Sequence, residues 1–299
     1  MKLNGIYTAL ITPFKNNYAI DEKAYSEIIN QVISEDVHGI VIAGSTGENY
    51  SQTLEERIHL IKLSSRIIDG RVSFIVGTGG VTRTEDSIAI AKEAKLNEAD
   101  AIMISSPPYA VPTSKENAIN AIEIDKSVNL PILLYNYPGR TSVNMDDDFL
   151  KQISKSKNFC GIKESSGQLD RINFLIKKYP NIALCCGMDD QAYEYFKGGA
   201  KSWVCAGSNF AAGAHIALWK ACVLENNFEK GKKIWKTMLP LMKHLEQGGK
   251  FIQSIKHGVS MRGINAGIPR LPLQPLDNNE KMNLEKIITN MNDRIKEIK

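Results

Sequence analysis

Short apolar runs recur through the first part of the chain: Ile6–Ile11, Gly39–Ala43, Ser73–Gly77, Ala101–Ser105, Pro131–Tyr135, Cys160–Lys163, Ile182–Cys186 and Trp203–Ala206. Most are apolar on both faces, as buried parallel strands are, and do not alternate apolar with polar. Between them the period changes to that of a helix. Tyr25, Ile28, Ile29, Val32 and Ile33 follow an i, i+3, i+4, i+7, i+8 spacing. Capping boxes predict helix starts at Thr53 with Glu56, Thr82 with Glu85, and Thr113 with Glu116. Strand then helix, eight times over, predicts an α/β fold, a (β/α)8 TIM barrel. An open doubly wound sheet would carry a glycine-rich phosphate turn after its first strand, where this chain has Thr12-Pro13-Phe14.

After residue 210 the strand signal stops. His215–Asn226, Phe228–Leu245, Gly249–Met261 and Asn279–Ile298 read as helices, and Gly263–Pro275 as an irregular connection. The predicted organisation is a barrel over residues 1–226 and a C-terminal helical extension over 227–299.

Composition narrows the function classes. The chain has 299 residues, 43% of them hydrophobic and 23% charged, which excludes wholesale disorder. Thirty-seven basic against 33 acidic residues leave a formal charge of +4, with no block of five or six like charges. Neither nucleic acid nor a membrane surface is therefore expected as a partner. The cysteines Cys160, Cys185, Cys186, Cys205 and Cys222 lie in apolar runs without framework spacing, so reduced thiols and a cytoplasmic location are expected. The start MKLNGIYTALITPF lacks the apolar core of a signal peptide, and no run approaches the ~20 residues that span a bilayer.

Barrels of this kind hold their chemistry at the C-terminal ends of the strands. Those ends read Gly44-Ser45-Thr46-Gly47-Glu48, Gly77-Thr78-Gly79-Gly80, Ser105-Ser106-Pro107-Pro108-Tyr109, Tyr135-Asn136-Tyr137-Pro138-Gly139-Arg140, Ile162-Lys163-Glu164-Ser165, Gly187-Met188-Asp189-Asp190 and Gly207-Ser208-Asn209. No histidine occurs in them, which argues against a histidine metal site and against a Ser-His-Asp triad. Asp189-Asp190 has no third ligand in view, and a helix N-cap role for one of the two is the simpler expectation.

Lys163 closes an apolar run, so its amine should enter the barrel mouth. Burial disfavours the ammonium and predicts a lowered pKa. A neutral amine is the nucleophile that forms a Schiff base with a carbonyl substrate. A lysine there can also be solvated or pair with Glu164. Gly44–Gly47 can offer backbone N–H groups and the Ser45 and Thr46 hydroxyls to a carboxylate. Tyr135 ends a strand, either as a core residue with a wet hydroxyl or as part of the site. Arg140 can clamp a carboxylate in bidentate fashion, or make a surface ion pair.

Together, Ile11-Thr12-Pro13-Phe14, Gly44–Glu48, Tyr135-Asn136-x-Pro138, Gly161-Ile162-Lys163-Glu164 and Arg270-Leu271-Pro272-Leu273 resemble the dihydrodipicolinate synthase / N-acetylneuraminate lyase family. The resemblance implies a (β/α)8 barrel, class I Schiff-base lyase chemistry, no metal or organic cofactor, and a homodimer or homotetramer. It implies that Lys163 condenses with the ketone of pyruvate or another 2-oxo acid. It makes Tyr135 the proton shuttle, and Ser45 and Thr46 the hydroxyls that hold the carboxylate and continue the relay. Tyr109 would reach into a neighbouring subunit's relay, and Arg140 would hold the carboxylate of a second substrate, aspartate semialdehyde. Gly187, Val204 and Ser208 would line the substrate site.

The chain also departs from the synthase pattern at Ser45, Pro108 and Ser142, and in Cys185–Asp190 and Trp203–Asn209. These strings look closer to catabolic members, such as pyrroline-4-hydroxy-2-carboxylate deaminases or aldolases of 2-keto-3-deoxy sugar acids and N-acetylneuraminate. The first reading is a 4-hydroxy-tetrahydrodipicolinate synthase and the second is such a catabolic lyase. A non-catalytic 2-oxo acid sensor is disfavoured by the survival of the lysine, the tyrosine and the hydroxyl pair. Lysine-inhibited synthases use a histidine and an extra tyrosine where this chain has Leu54 and Pro108, so no inhibition by lysine is expected.

Overall fold

The computed structural model describes residues 1–298. Among them, eight parallel strands close into a barrel in chain order. They are β1 (Gly5–Ala9), β2 (Gly39–Ile42), β3 (Ser73–Gly77), β4 (Ala101–Ser105), β5 (Ile132–Asn136), β6 (Phe159–Glu164), β7 (Ala183–Cys186) and β8 (Ser202–Cys205). Each coincides with a predicted run to within two residues at either end. The ring closes where Tyr7 of β1 pairs with Val204 of β8.

Helices α1 (Glu22–Ser34), α2 (Leu54–Ile68), α3 (Thr84–Leu96) and α4 (Ser114–Val128) follow the first four strands. The short α5 (Pro138–Thr141) and α6 (Asp147–Ile153) follow β5, and α7 (Asp170–Lys178) and α8 (Ala192–Lys197) follow β6 and β7. After β8 come α9 (Ser208–Trp219), α10 (Phe228–Gln247), α11 (Phe251–Ser260) and α12 (Asn278–Ile298). None of these helices is long and apolar enough to cross a membrane.

The pleat sorts strand residues into two cores. Tyr7, Ala9, Val41, Ile75, Met103, Leu133, Cys185 and Val204 point inward and fill the barrel. Their neighbours Ile6, Ile40, Ile42, Val76, Ile104 and Leu134 point outward against the helices. Runs apolar on both faces are the consequence, because both faces are covered.

Two of the three predicted capping boxes form. Thr53 and Thr113 accept from the N–H of Glu56 and Glu116, whose carboxylates accept in return. Each such cap stabilises its helix by about 1 kcal/mol. The third does not form: Arg83 is the cap residue of α3, with no side-chain cap bond. Thr82 Oγ1 instead donates to Pro108 O at 3.4 Å, and Glu85 lies 3.8 Å from Arg83. Helix α9 begins seven residues earlier than the predicted His215 because Ser208–Trp219 is apolar almost all round. A helix buried on every side shows no amphipathic period.

The C-terminal helices pack into the barrel and bring charges to its mouth. Lys256 of α11 pairs with Glu48 after β2 at 2.9 Å, and donates to Thr12 O at 2.7 Å and Ile268 O at 3.1 Å. Arg270 pairs with Glu56, and its N–H donates to the Glu48 carboxylate at 3.0 Å. Glu48 holds a left-handed backbone, φ 59°, and is fully buried. These contacts pin the turn that carries Ser45 and Thr46.

Candidate active site

A cavity of about 560 Å³ opens at the C-terminal ends of the strands. Strand register assembles its floor. Tyr135 on β5 pairs with Lys163 on β6, and Lys163 with Cys185 on β7. The pleat turns Lys163 inward and its neighbour Glu164 outward. Glu164 accepts from Arg171 Nε at 2.7 Å, from Asn136 Nδ2 at 3.0 Å and from Ser166 N at 2.8 Å. Glu164 is thus committed elsewhere, and a Lys163–Glu164 pair does not form.

Lys163 is 5% exposed. Its Nζ lies 4.1 Å from the centroid of the Tyr135 ring. Gly187 makes room for it: a Cβ there would stand 2.7 Å from Lys163 Cγ and 2.1 Å from Ser165 Oγ. Burial pulls the Lys163 pKa down, but the electrostatic influence of Tyr135, Asp189, Cys185 and Glu246 opposes it, and the net shift is upward. This corrects the expectation of a lowered pKa, which counted burial and left out the groups around the amine, Tyr135 first and Asp189 second.

Ser45 and Thr46 open a single helical turn whose own bonds begin with Gly47 N donating to Gly44 O at 3.0 Å. The N–H groups of such a first turn are left for another acceptor. Both residues line the cavity beside Tyr135, Tyr137, Arg140, Gly187 and Val204. Arg140 is exposed on the rim, its guanidinium 5.9 Å from the Tyr137 ring centroid.

Two of the expected residues stand elsewhere. Ser208 is 1% exposed and does not line the cavity. It donates to Thr8 Oγ1 at 2.9 Å and Cys205 O at 3.1 Å, tying β8 to β1. Tyr109 is 96% exposed with a left-handed backbone, φ 67°, outside its own chain's cavity.

The acidic pair Asp189-Asp190 is neither a metal site nor an N-cap. Among the described residues, no three His, Cys, Asp or Glu side chains are placed so that they could hold a metal ion. Asp189 accepts from Trp203 Nε1 at 3.0 Å and Ala206 N at 3.2 Å, and so braces β8. Asp190 accepts from Gln247 Nε2 at 2.9 Å.

The sequence reading missed Glu246. It reaches the cavity from the end of α10, and its Oε1 accepts from Asp189 N at 3.0 Å. Burial raises the Asp189 pKa to about 6; burial and the Asp189 charge raise that of Glu246 to about 7. A lone glutamate near the end of an amphipathic helix carries no signal of this in the sequence.

A family model described as the dihydrodipicolinate synthetase family matches residues 2–291. This chain belongs to that family. Among its relatives, the 4-hydroxy-tetrahydrodipicolinate synthase of Protochlamydia amoebophila is 33% identical, with 97% of each chain covered. That of Methanocaldococcus jannaschii is 32% identical over 96% of this chain and 98% of its own. The structure of the synthase from Methylacidiphilum fumariolicum superposes with a TM-score of 0.92 at 31% identity, covering 99% of this chain and 98% of that one. Family membership accounts for the closed barrel, and the C-terminal helices lie within the matched span, up to residue 291.

Proposed function

We propose that this chain is a class I lyase that condenses pyruvate with aspartate semialdehyde, a 4-hydroxy-tetrahydrodipicolinate synthase. The observation that carries the reading is Lys163: a buried amine at a strand end, facing a cavity, with no carboxylate within pairing distance among the described residues. The relatives named 4-hydroxy-tetrahydrodipicolinate synthase supply the reaction, and the motif resemblance supplies the substrate pair.

In this reading the Lys163 amine attacks C2 of pyruvate and water leaves, giving an iminium. The first-turn N–H groups and hydroxyls of Ser45 and Thr46 hold the pyruvate carboxylate. Loss of a methyl proton converts the iminium to an enamine, with Tyr135 carrying protons at the reacting carbons. The enamine carbon then adds to the aldehyde of the second substrate, whose carboxylate Arg140 receives at the rim. Gly187 and Val204 shape the floor. Tyr109, exposed on a strained loop, serves the relay of a second copy of this chain in a homodimer or homotetramer. Because the upward shift at Lys163 favours the ammonium, attack on pyruvate quickens as pH rises and the proton leaves.

Borohydride reduction in the presence of pyruvate tests the chemistry. A pyruvate-derived mass should appear on the peptide containing Lys163; its appearance elsewhere, or nowhere, removes the class I mechanism. Rates with pyruvate plus aspartate semialdehyde against pyrroline-4-hydroxy-2-carboxylate test the substrate. Faster turnover of the pyrroline would replace the biosynthetic reading with the catabolic one.

A further inference from the structure

Of the residues that line the cavity, two are cationic, Lys163 and Arg140, and two are anionic, Asp189 and Glu246. The oxygens of Asp189 are both engaged, one by Trp203 Nε1 and the other by Ala206 N. Glu246 uses Oε1 to accept from Asp189 N. Among the described residues its Oε2 takes no hydrogen bond, so it is the one carboxylate oxygen offered to a ligand.

Aspartate semialdehyde carries a carboxylate and an ammonium on the same carbon. With its carboxylate on Arg140, its ammonium needs an anionic acceptor inside the cavity. The product is a six-membered ring with one nitrogen, and only this ammonium can supply it. The amine must therefore lose a proton and then displace Lys163 from C2.

We infer that Glu246 is the acceptor of the second substrate's ammonium and the base that frees its nitrogen for ring closure. The inference rests on the synthase reading given above. The step balances as follows. One ammonium proton passes to the Glu246 carboxylate. The nitrogen lone pair bonds to C2 of the Lys163 iminium, and the C=N π pair returns to Lys163 Nζ. A proton then moves from the new ring nitrogen to Nζ. The C2–Nζ bond breaks with its pair going to Nζ, releasing neutral Lys163, while the ring nitrogen's lone pair forms the new C=N as a cyclic iminium that loses its remaining N–H proton to solvent. Glu246 returns its proton to solvent.

The surroundings of Glu246 suit a base that works near neutrality. Asp189 and Asp190, after β7, push its pKa up; Lys163, on β6, pulls it down. Tyr137, after β5, feels the Glu246 charge, and the Arg140 guanidinium stands 5.9 Å from its ring centroid. On its own helix, burial lowers the His244 pKa, with the Glu280 charge opposing. The Asp189–Glu246 pair titrates together, so its apparent values belong to the pair.

Glu246→Gln is the discriminating variant, because a glutamine oxygen can still accept from Asp189 N while the charge is gone. Three readouts are needed. Borohydride trapping of pyruvate on Lys163 should stay within about twofold of wild type, since Schiff-base formation precedes the step assigned to Glu246. Synthase turnover should fall at least about 100-fold, the usual contribution of a positioned base. The acid limb of the wild-type kcat profile, near pH 7, should disappear. Reduction with both substrates present should also trap an uncyclised adduct on Lys163, heavier than the pyruvate adduct by the mass of aspartate semialdehyde.

Glu246→Asp, which keeps the charge on a shorter stem, should recover part of the rate. Unchanged turnover in Glu246→Gln overturns the inference. So does a loss of pyruvate trapping in proportion to turnover, which would make Glu246 a partner of Lys163 alone. Wild-type protein that traps pyruvate but does not turn over aspartate semialdehyde removes the synthase reading, and this inference with it.

Discussion

Lys163 and Lys256 are both buried, at 5% and 2% exposure, and each lies near glutamate, yet they sit in opposite kinds of surroundings. Lys256 is filled. It pairs with the Glu48 carboxylate at 2.9 Å and donates to two carbonyls, Thr12 O and Ile268 O, so its charge is met and its amine is held on three sides. Burial lowers its pKa, with Glu48 opposing. Lys163 is open. It faces a cavity across the Tyr135 ring, and the charges around it act from a distance and push its pKa up. Burial alone therefore does not mark a reactive lysine. What separates the two is whether the amine already has partners. Lys256 is a strut between α11 and the β2 turn; Lys163, facing a cavity without such partners, has the setting that the proposed function requires.

Exchanging the two lysines for alanine should split the molecule's properties. Lys163→Ala should abolish turnover by several orders of magnitude while leaving thermal unfolding near wild type, since no other group replaces a covalent nucleophile. Lys256→Ala should do the reverse. It strands the fully buried Glu48 carboxylate and should cost about 3–5 kcal/mol of stability in denaturant titration. Pyruvate trapping per folded molecule should persist. The double change Lys256→Met with Glu48→Gln should regain much of that loss, because a buried pair contributes less than its breakage costs. If Lys256→Ala instead removed trapping at full stability, the contrast between strut and nucleophile would fail.

Gly187→Ala tests how closely the open lysine is placed. The added Cβ would meet Lys163 Cγ and Ser165 Oγ well inside contact distance. A shift of the amine by about 1 Å is expected to lower kcat about 100-fold, with folding intact. Activity equal to wild type would show that Lys163 has slack.

Arg140→Ala probes the rim of the same cavity. The guanidinium is solvent-exposed, so its contribution should be that of a charge-assisted hydrogen bond rather than of a desolvated clamp. The expected loss in kcat/KM for the second substrate is about 1.5–3 kcal/mol, with pyruvate trapping unchanged. A parallel loss of trapping would move Arg140 from the second substrate to the first.

The fold was legible because burial on both faces of β1–β8 leaves runs that only a covered parallel sheet produces. That Lys163, Tyr135, the Ser45-Thr46 turn and Arg140 share one cavity was legible because each lies within a few residues of a strand end, where such barrels keep their chemistry. Ser208 was misplaced by the same logic. It follows β8 but turns back under the barrel to Thr8, a pairing across 200 residues that no local pattern encodes. Glu246 was invisible for the converse reason. It lies 41 residues beyond the last strand and enters the cavity only because α10 folds its end over the mouth. The sign of the Lys163 shift was not legible either, since it is the sum of burial against Tyr135, Asp189, Cys185 and Glu246, which only the folded barrel brings around one amine.

The smallest expected effect concerns lysine as an inhibitor, and it extends the same contrast to a ligand's own ammonium and carboxylate. Such a ligand must find partners for both charges on leaving water, as Lys256 has and Lys163 has not. At the positions where lysine-sensitive relatives would offer a histidine and a second tyrosine, this chain has Leu54 and Pro108. Leu54 opens α2 and packs against the hydrophobic core; Pro108 has no N–H, and its carbonyl already accepts from Thr82. Neither can donate to a carboxylate or accept from an ammonium with a side chain. L-Lysine at millimolar concentration should leave the rate with pyruvate and aspartate semialdehyde unchanged. Half-inhibition below about 1 mM, equivalent to roughly −4 kcal/mol of binding, would mean that other residues pair both charges and that an amine and a carboxylate can be satisfied here without those two side chains.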